Sequence, residues 1–255
     1  MTLFHYFLLG LAALAAGFVN ALAGGGTLIS FPTLSATGMA AIAANATNTT
    51  ALSPGSFSAL MAQIRDLRGQ EKRLMVFLPL GVLGGLTGSL ALLWSGEALF
   101  KQLAPYLIIA ASLLLAAQEP IRAWVTRRIG QSASHPHHEL WRAALPVWLT
   151  AVYGGYFGAG VGVVALAALG ATLEDSLTRL NALKHAVTFS ANLTAGLFFL
   201  FSGQVVWQAG AVMALGALAG GALGGRLASR VNASTLRKIV VSLGILIGLI
   251  YLFKN

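Results

Sequence analysis

The sequence predicts an all-α polytopic membrane protein of two inverted structural repeats, with about 8 to 10 membrane segments that include short broken helices or re-entrant hairpins. Three observations predict it. The 255-residue chain is 57% hydrophobic and only 9% charged, too little polar surface for a soluble domain, so the bilayer is its solvent. Glycine-rich breaks recur about 134 residues apart, at Gly24-Gly25-Gly26 and at Gly154-Gly155-Tyr156-Phe157-Gly158-Ala159-Gly160, and an asparagine segment follows each: Asn45-Ala46-Thr47-Asn48, then Asn181-Ala182-Leu183-Lys184. The third observation is the distribution of charge between the apolar runs, taken up after the runs themselves.

The first run, 3–23, ends in Ala21-Leu22-Ala23, which imitates a leader cleavage site, but it has no preceding Lys or Arg and aligns with the start of the second half near 145–157. It reads as a membrane segment. Run 27–37 is too short to cross, since the hydrocarbon core needs about 20 residues. Run 41–64 is rich in Asn, Thr and Ser, and Pro54-Gly55 predicts a kink or break in its helix. Runs 74–94 and 103–121 complete a first repeat, 1–121. After a hydrophilic cytoplasmic linker, 122–144, the second repeat, 145–255, carries runs 145–157, 161–172, 180–201, 205–225 and 239–253. Run 205–225 is long enough to cross and the first two are short. Backbone polar groups in lipid must be satisfied, so the short irregular pieces belong where protein or a wet cavity shields them. The linker holds His135, His137 and His138, which no second cluster completes into a metal site, and it reads as solvated.

If the first two runs of each half form a hairpin, each half crosses an odd number of times and the second is inverted. Arg65, Arg68, Lys72, Arg73, Arg122, Arg127, Arg128, Arg142, Arg179, Arg226, Arg230, Arg237 and Lys238 then share one side, against Lys101 and Lys254: 13 to 2. Eight simple helices would give 9 to 6. Positive charge gathers on the cytoplasmic side, so the inverted arrangement is favoured, with both termini outside.

The same clustering accounts for the net charge of +9 without nucleic acid; the expected partners are the lipid bilayer and a small solute. There is no cysteine, hence no disulfide, thiol nucleophile or cysteine-bound metal. Gly-x-Ser-x-Gly, His-Glu-x-x-His, a P-loop and paired intramembrane aspartates are absent too. The expectation is a protein that is not an enzyme, with no catalytic residues, no cofactor and no resident metal.

A helix restarting after a glycine break presents N–H groups carrying about half a positive charge, and two such ends make an anion-sized cradle. That makes Gly24, Gly25, Gly26 and Thr27 candidate substrate-binding residues in the first half, and Gly158 and Gly160 in the second. Asn45, Asn48 and Thr49 share a helix face and supply polar contacts. Asn181 and Lys184 are their counterparts; a lysine inside a membrane helix costs about 2.5–3.5 kcal/mol, which argues for an anion contact over snorkelling to the surface. His185 is the candidate proton relay, against a packed structural histidine. Glu174 and Asp175 are read as structural, pairing with Arg179 or capping a helix start. Gly216, Gly220 and Gly224 have the spacing for close helix packing, in a homodimer or within one chain.

The run Gly17-Phe18-Val19-Asn20-Ala21-Leu22-Ala23-Gly24-Gly25-Gly26-Thr27-Leu28-Ile29-Ser30-Phe31-Pro32 resembles the first signature of the TauE/SafE family of sulfite and organosulfonate exporters. Gly154-Gly155-Tyr156-Phe157-Gly158-Ala159-Gly160 with Asn181-Ala182-Leu183-Lys184 resembles the second. The likeness covers essentially the whole chain, although Gly160-Val161-Gly162 stands where the family usually continues with further glycine. The resemblance implies a multi-pass secondary carrier of the bacterial inner membrane for sulfite, sulfoacetate or another sulfonate. Alternating access would follow from rocking one half against the other. The rivals are a cation or metal carrier, which lacks acidic groups at depth, and a non-transporting membrane scaffold, which would ignore small anions.

Overall fold

In a computed structural model of the chain, the described residues are 1–22, 24–128, 136–227 and 230–254, with only the backbone described for 136–139 and 254. Their regular structure is entirely helical. In order the helices are α1 (Leu3–Leu22), α2 (Thr27–Ala36), α3 (Ala41–Ala62), α4 (Glu71–Ala116), α5 (Gln118–Arg128), α6 (Pro136–Tyr156), α7 (Val161–Thr172), α8 (Leu177–Phe201), α9 (Trp207–Leu227) and α10 (Ala233–Lys254), with a short 3-10 turn at Ile64–Leu67. Helices α1, α4, α9 and α10 are long and apolar enough to cross a membrane; α2 and α7 are short as the sequence predicts, whereas the other run expected to be short, 145–157, falls within the 21-residue α6.

The molecule carries apolar side chains outward and polar ones inward. Phe4, Leu83, Leu215 and Ile250 are exposed, whereas Ser30, Asn45, Thr47 and Asn48 are buried. Water would penalise that arrangement and lipid does not.

Helix α4 is two limbs joined at Gly96, whose φ of 70° and ψ of 163° belong to no helix and are open to glycine alone. Immediately after this corner, both carboxylate oxygens of Glu97 accept the first N–H groups of α3, those of Ala41 and Ile42. The carboxylate thus caps α3 from across the chain, at the end of its dipole that favours negative charge. Pro54 stands inside α3 without ending it, so the expected break is absent. Neighbouring hydroxyls bond nearby carbonyls: Ser53 Oγ donates to Thr49 O at 2.7 Å and to Asn192 O of α8 at 3.2 Å.

Glycines set the closest approaches. A Cβ on Gly216, Gly220 or Gly224 of α9 would lie 2.5, 1.9 or 2.8 Å from the carbonyl oxygens of Gly10, Leu14 or Phe18 in α1. The small-residue spacing is therefore used within the chain, in parallel packing of α1 on α9, which takes away the surface from which a homodimer was read. The second half packs by the same device: Cβ atoms on Gly84 and Gly88 would meet Trp148 O and Val152 O of α6, placing α6 parallel to the first limb of α4.

The segment expected as a linker, 122–144, is helical over much of its described length, because α5 runs to Arg128 and α6 begins at Pro136. Val125 of α5 is fully buried against Gly170 of α7, an anchor that polar composition concealed. His135 lies outside the described residues, as do the side chains of His137 and His138.

Candidate functional site

Both glycine breaks open onto one cavity of about 740 Å³. At the first break Gly24 and Gly25 take φ of 77° and 87°, and at the second Gly158 and Gly160 take 77° and 73°, so each chain reversal needs glycine. Between them stand α3 and α8. The lining includes Gly24, Gly25, Thr27, Asn48, Thr49, Gly158, Gly160, Lys184 and His185. Nine of the sequence-predicted positions are thereby brought together from segments up to 161 residues apart.

Gly26, Asn45 and Asn181 do not line it. Gly26 turns its N–H to Asn20 Oδ1 at 2.7 Å and packs on α1, where a Cβ would lie 2.3 Å from Ala16 O. Asn45 is fully buried behind the wall, its Nδ2 donating to Tyr156 O at 3.0 Å. Asn181 acts through its neighbour: its Oδ1 accepts from Lys184 Nζ at 3.1 Å, one turn along α8.

At both helix starts some N–H groups turn back on the chain and others are left free at the cavity. In α2 the N–H groups of Leu28, Ile29 and Ser30 fold back on the carbonyls of Gly25 and Gly26, while Gly25 and Thr27, both at the cavity, have N–H groups with no acceptor among the described residues. At the second break those of Val161, Val163 and Val164 do likewise, while Gly160 and Gly162, both at the cavity, have N–H groups with no acceptor among the described residues.

Sequence reasoning did not single out Asn20, Gln118, Thr188 and Asn192, which also line the cavity, as do Ser53 and Ser56 of the polar stretch in α3. Asn20 was legible as a lone amide in an apolar run, and so was Gln118, three residues after Leu115 of the same wall. Asn192 Nδ2 donates to Ser56 Oγ at 3.1 Å, tying α8 to α3. The apolar share of the wall comes from Leu52, Leu115, Phe157, Val161 and Leu218. Lys184 and His185 are the ionisable side chains at the wall, and no carboxylate is among its described residues. The arrangement can hold an anion: one ammonium, with amides and hydroxyls that donate.

The cavity extends to Ala62, Gln63, Gln118 and Gly225, beside the arginine-rich turns. Phe157, which lines the wall, is packed edge-on to Phe31 at 5.3 Å between centroids, with Phe100 at 6.2 Å from Phe31; all three are buried. Tyr156 adds an edge contact to Phe100 at 5.7 Å. Glu174 and Asp175 do not line the cavity; they lie in the turn before α8, where Asp175 pairs with Arg73 and Arg179, the structural place expected of it.

Residues 9–251 match the sequence profile of the family described as Sulfite exporter TauE/SafE. A "Probable membrane transporter protein" of Haemophilus influenzae is 29% identical over 227 residues, covering 89% of this chain and 86% of the relative. "Probable membrane transporter protein YfcA" of Escherichia coli strain K12 is 25% identical over 229 residues, 90% and 82% of the two chains. "Probable membrane transporter protein ORF9" of a Sinorhizobium species is 28% identical over 246 residues, 93% and 88%. No solved structure matches. With a match from residue 9 to residue 251, the chain belongs to the sulfite exporter TauE/SafE family of membrane transporters.

Proposed function

We propose that the protein is a secondary transporter that moves a small sulfur-containing anion, sulfite or an organosulfonate, across the bacterial inner membrane by alternating access. The observation that carries this reading is the cavity in which Lys184 and amide and hydroxyl groups stand beside both glycine breaks with no described carboxylate among them. Gly24, Gly25, Thr27, Gly158 and Gly160 supply the backbone cradle, Asn48 and Thr49 polar contacts, and Asn181 positions Lys184, whose charge balances the anion. His185, on the same wall, is the proton relay of this scheme.

Two inverted repeats, 1–121 and 145–255, rock against each other around the cavity. The pairing of α1 with α9 and of α6 with α4 is the packing such a pseudo-two-fold relation produces. In this reading the basic end is cytoplasmic, the cavity faces inward, and the aromatic cluster of Phe31, Phe100 and Phe157 is the outward gate.

A ligand that binds the folded state must raise its melting temperature. Detergent-purified protein is therefore heated with sulfite, sulfate, sulfonates, carboxylates and divalent cations. The expected result is a rise with sulfite or a sulfonate that Lys184→Ala loses while still folding; a rise with cations alone overturns the anion assignment. A scaffold would respond to none of them.

A further inference from the structure

The geometry points to a binding site for a sodium-sized monovalent cation between Asn45 and Asn48. Asn45 is 0% exposed and Asn48 is 1% exposed, and the Oδ1 atom of each is buried with no hydrogen-bond partner. For Asn45 the orientation of the amide is fixed, because its other end donates to a group that only accepts, the Tyr156 carbonyl. Its free atom is thus the oxygen. Two unpaired amide oxygens a helical turn apart are a costly feature in lipid-shielded protein, and a bound cation removes both costs at once.

The second half of the molecule displays the occupied version. Asn45 is the fifth residue of α3, and Asn181 is the fifth residue of α8; three positions on, α3 has Asn48 where α8 has Lys184. There the Lys184 ammonium sits on Asn181 Oδ1 at 3.1 Å. A tethered cation satisfies the amide in one half, and in the other the equivalent oxygen stands without one. Neutral oxygens with no carboxylate do not repay the dehydration of a divalent ion, which restricts the occupant to a single charge. Asn48 also lines the cavity, so water there completes the coordination shell.

The site would couple ion and solute. A cation at Asn48 and an anion in the same cavity stabilise one another, and each raises the other's affinity by the same factor. That coupling rests on the anion-carrier reading; the cation site itself does not.

The test is the melting temperature of the purified protein in chloride salts of Na⁺, Li⁺, K⁺ and choline at equal ionic strength, with no sulfur oxyanion present. The expected result is a saturable rise with Na⁺ over choline, roughly 3–6 °C at tenfold over the Kd, lost in Asn45→Ala. Equal melting in all four salts overturns the site, as does a Na⁺ rise that survives Asn45→Ala. Should Asn45→Ala not fold, Asn48→Lys supplies the ammonium that α8 already carries: its melting is expected to be independent of Na⁺, and a persisting Na⁺ rise overturns the proposal. Because no anion is present, this outcome is separate from that of the anion panel.

Discussion

Arg73 at the start of α4 and Asp175 in the turn before α8 meet as an ion pair across 102 residues of sequence, and Arg179 completes it from the other side at 2.9 Å. Gln70 reinforces the junction by donating to the Arg179 carbonyl at 3.2 Å. The two halves are thus joined at the basic end by charge, whereas within the bundle they are joined by glycine contacts.

Burial pushes the Asp175 carboxyl upward, but hydrogen bonds from Arg179, the Ser176 N–H and Arg73 outweigh it and hold the group below its ordinary value. A lowered folded pKa contributes stability above the unfolded value, about 3.9, that is lost as pH falls through the folded one. Melting followed from neutral pH down past 4 is expected to drop in the acid range. Asp175→Asn should cost about 1–3 kcal/mol at pH 7, and its gap from the native protein should close in acid. A gap that stays constant with pH would assign the loss to packing.

The glycines of α9 are expected to differ sharply. A Cβ on Gly220 would stand 1.9 Å from Leu14 O, but one on Gly225 meets nothing within 4 Å. Gly220→Ala should force α1 and α9 apart and cost about 1–3 kcal/mol. Gly225→Ala should be neutral or stabilising by about 0.5–1 kcal/mol. Melting of the two variants in the same detergent checks the contrast.

Glu97→Gln removes the charged cap from the Ala41 and Ile42 N–H groups. The expected loss is about 0.5–2 kcal/mol, with increased hydrogen exchange at the start of α3. Unchanged exchange there would mean that the neutral amide caps equally well.

The proposed inverted topology makes a prediction that the absence of native cysteine renders simple to measure. Asn232 is a poor labelling site, since its Oδ1 accepts the Ser234 and Thr235 N–H groups at the start of α10. Arg230→Cys and Lys101→Cys, both exposed, serve better. A membrane-impermeant thiol reagent applied to whole cells should label Lys101→Cys and spare Arg230→Cys; the reverse would discard the assigned orientation.

Much of this protein is written locally. The apolar excess and the run lengths determined an all-helical chain for lipid, and the recurring breaks at Gly24–Gly26 and Gly158–Gly160 determined where helices stop, because a positive φ is a property of single residues. Part of the candidate cavity's lining was legible too, since Lys184 and Asn48 in apolar surroundings are costly unless used. Tertiary structure alone decided which of these groups face the cavity. Asn45 and Asn48 lie on one helix face, yet α6 covers the first with its Tyr156 carbonyl and leaves the second at the wall. It also decided that Gly216, Gly220 and Gly224 serve α1 and that Glu97 caps a helix more than 50 residues away. Periodicity records what a segment needs to bury, whereas the partner that buries it is set by packing among segments distant in sequence, where side-chain size and hydrogen bonding must match at once.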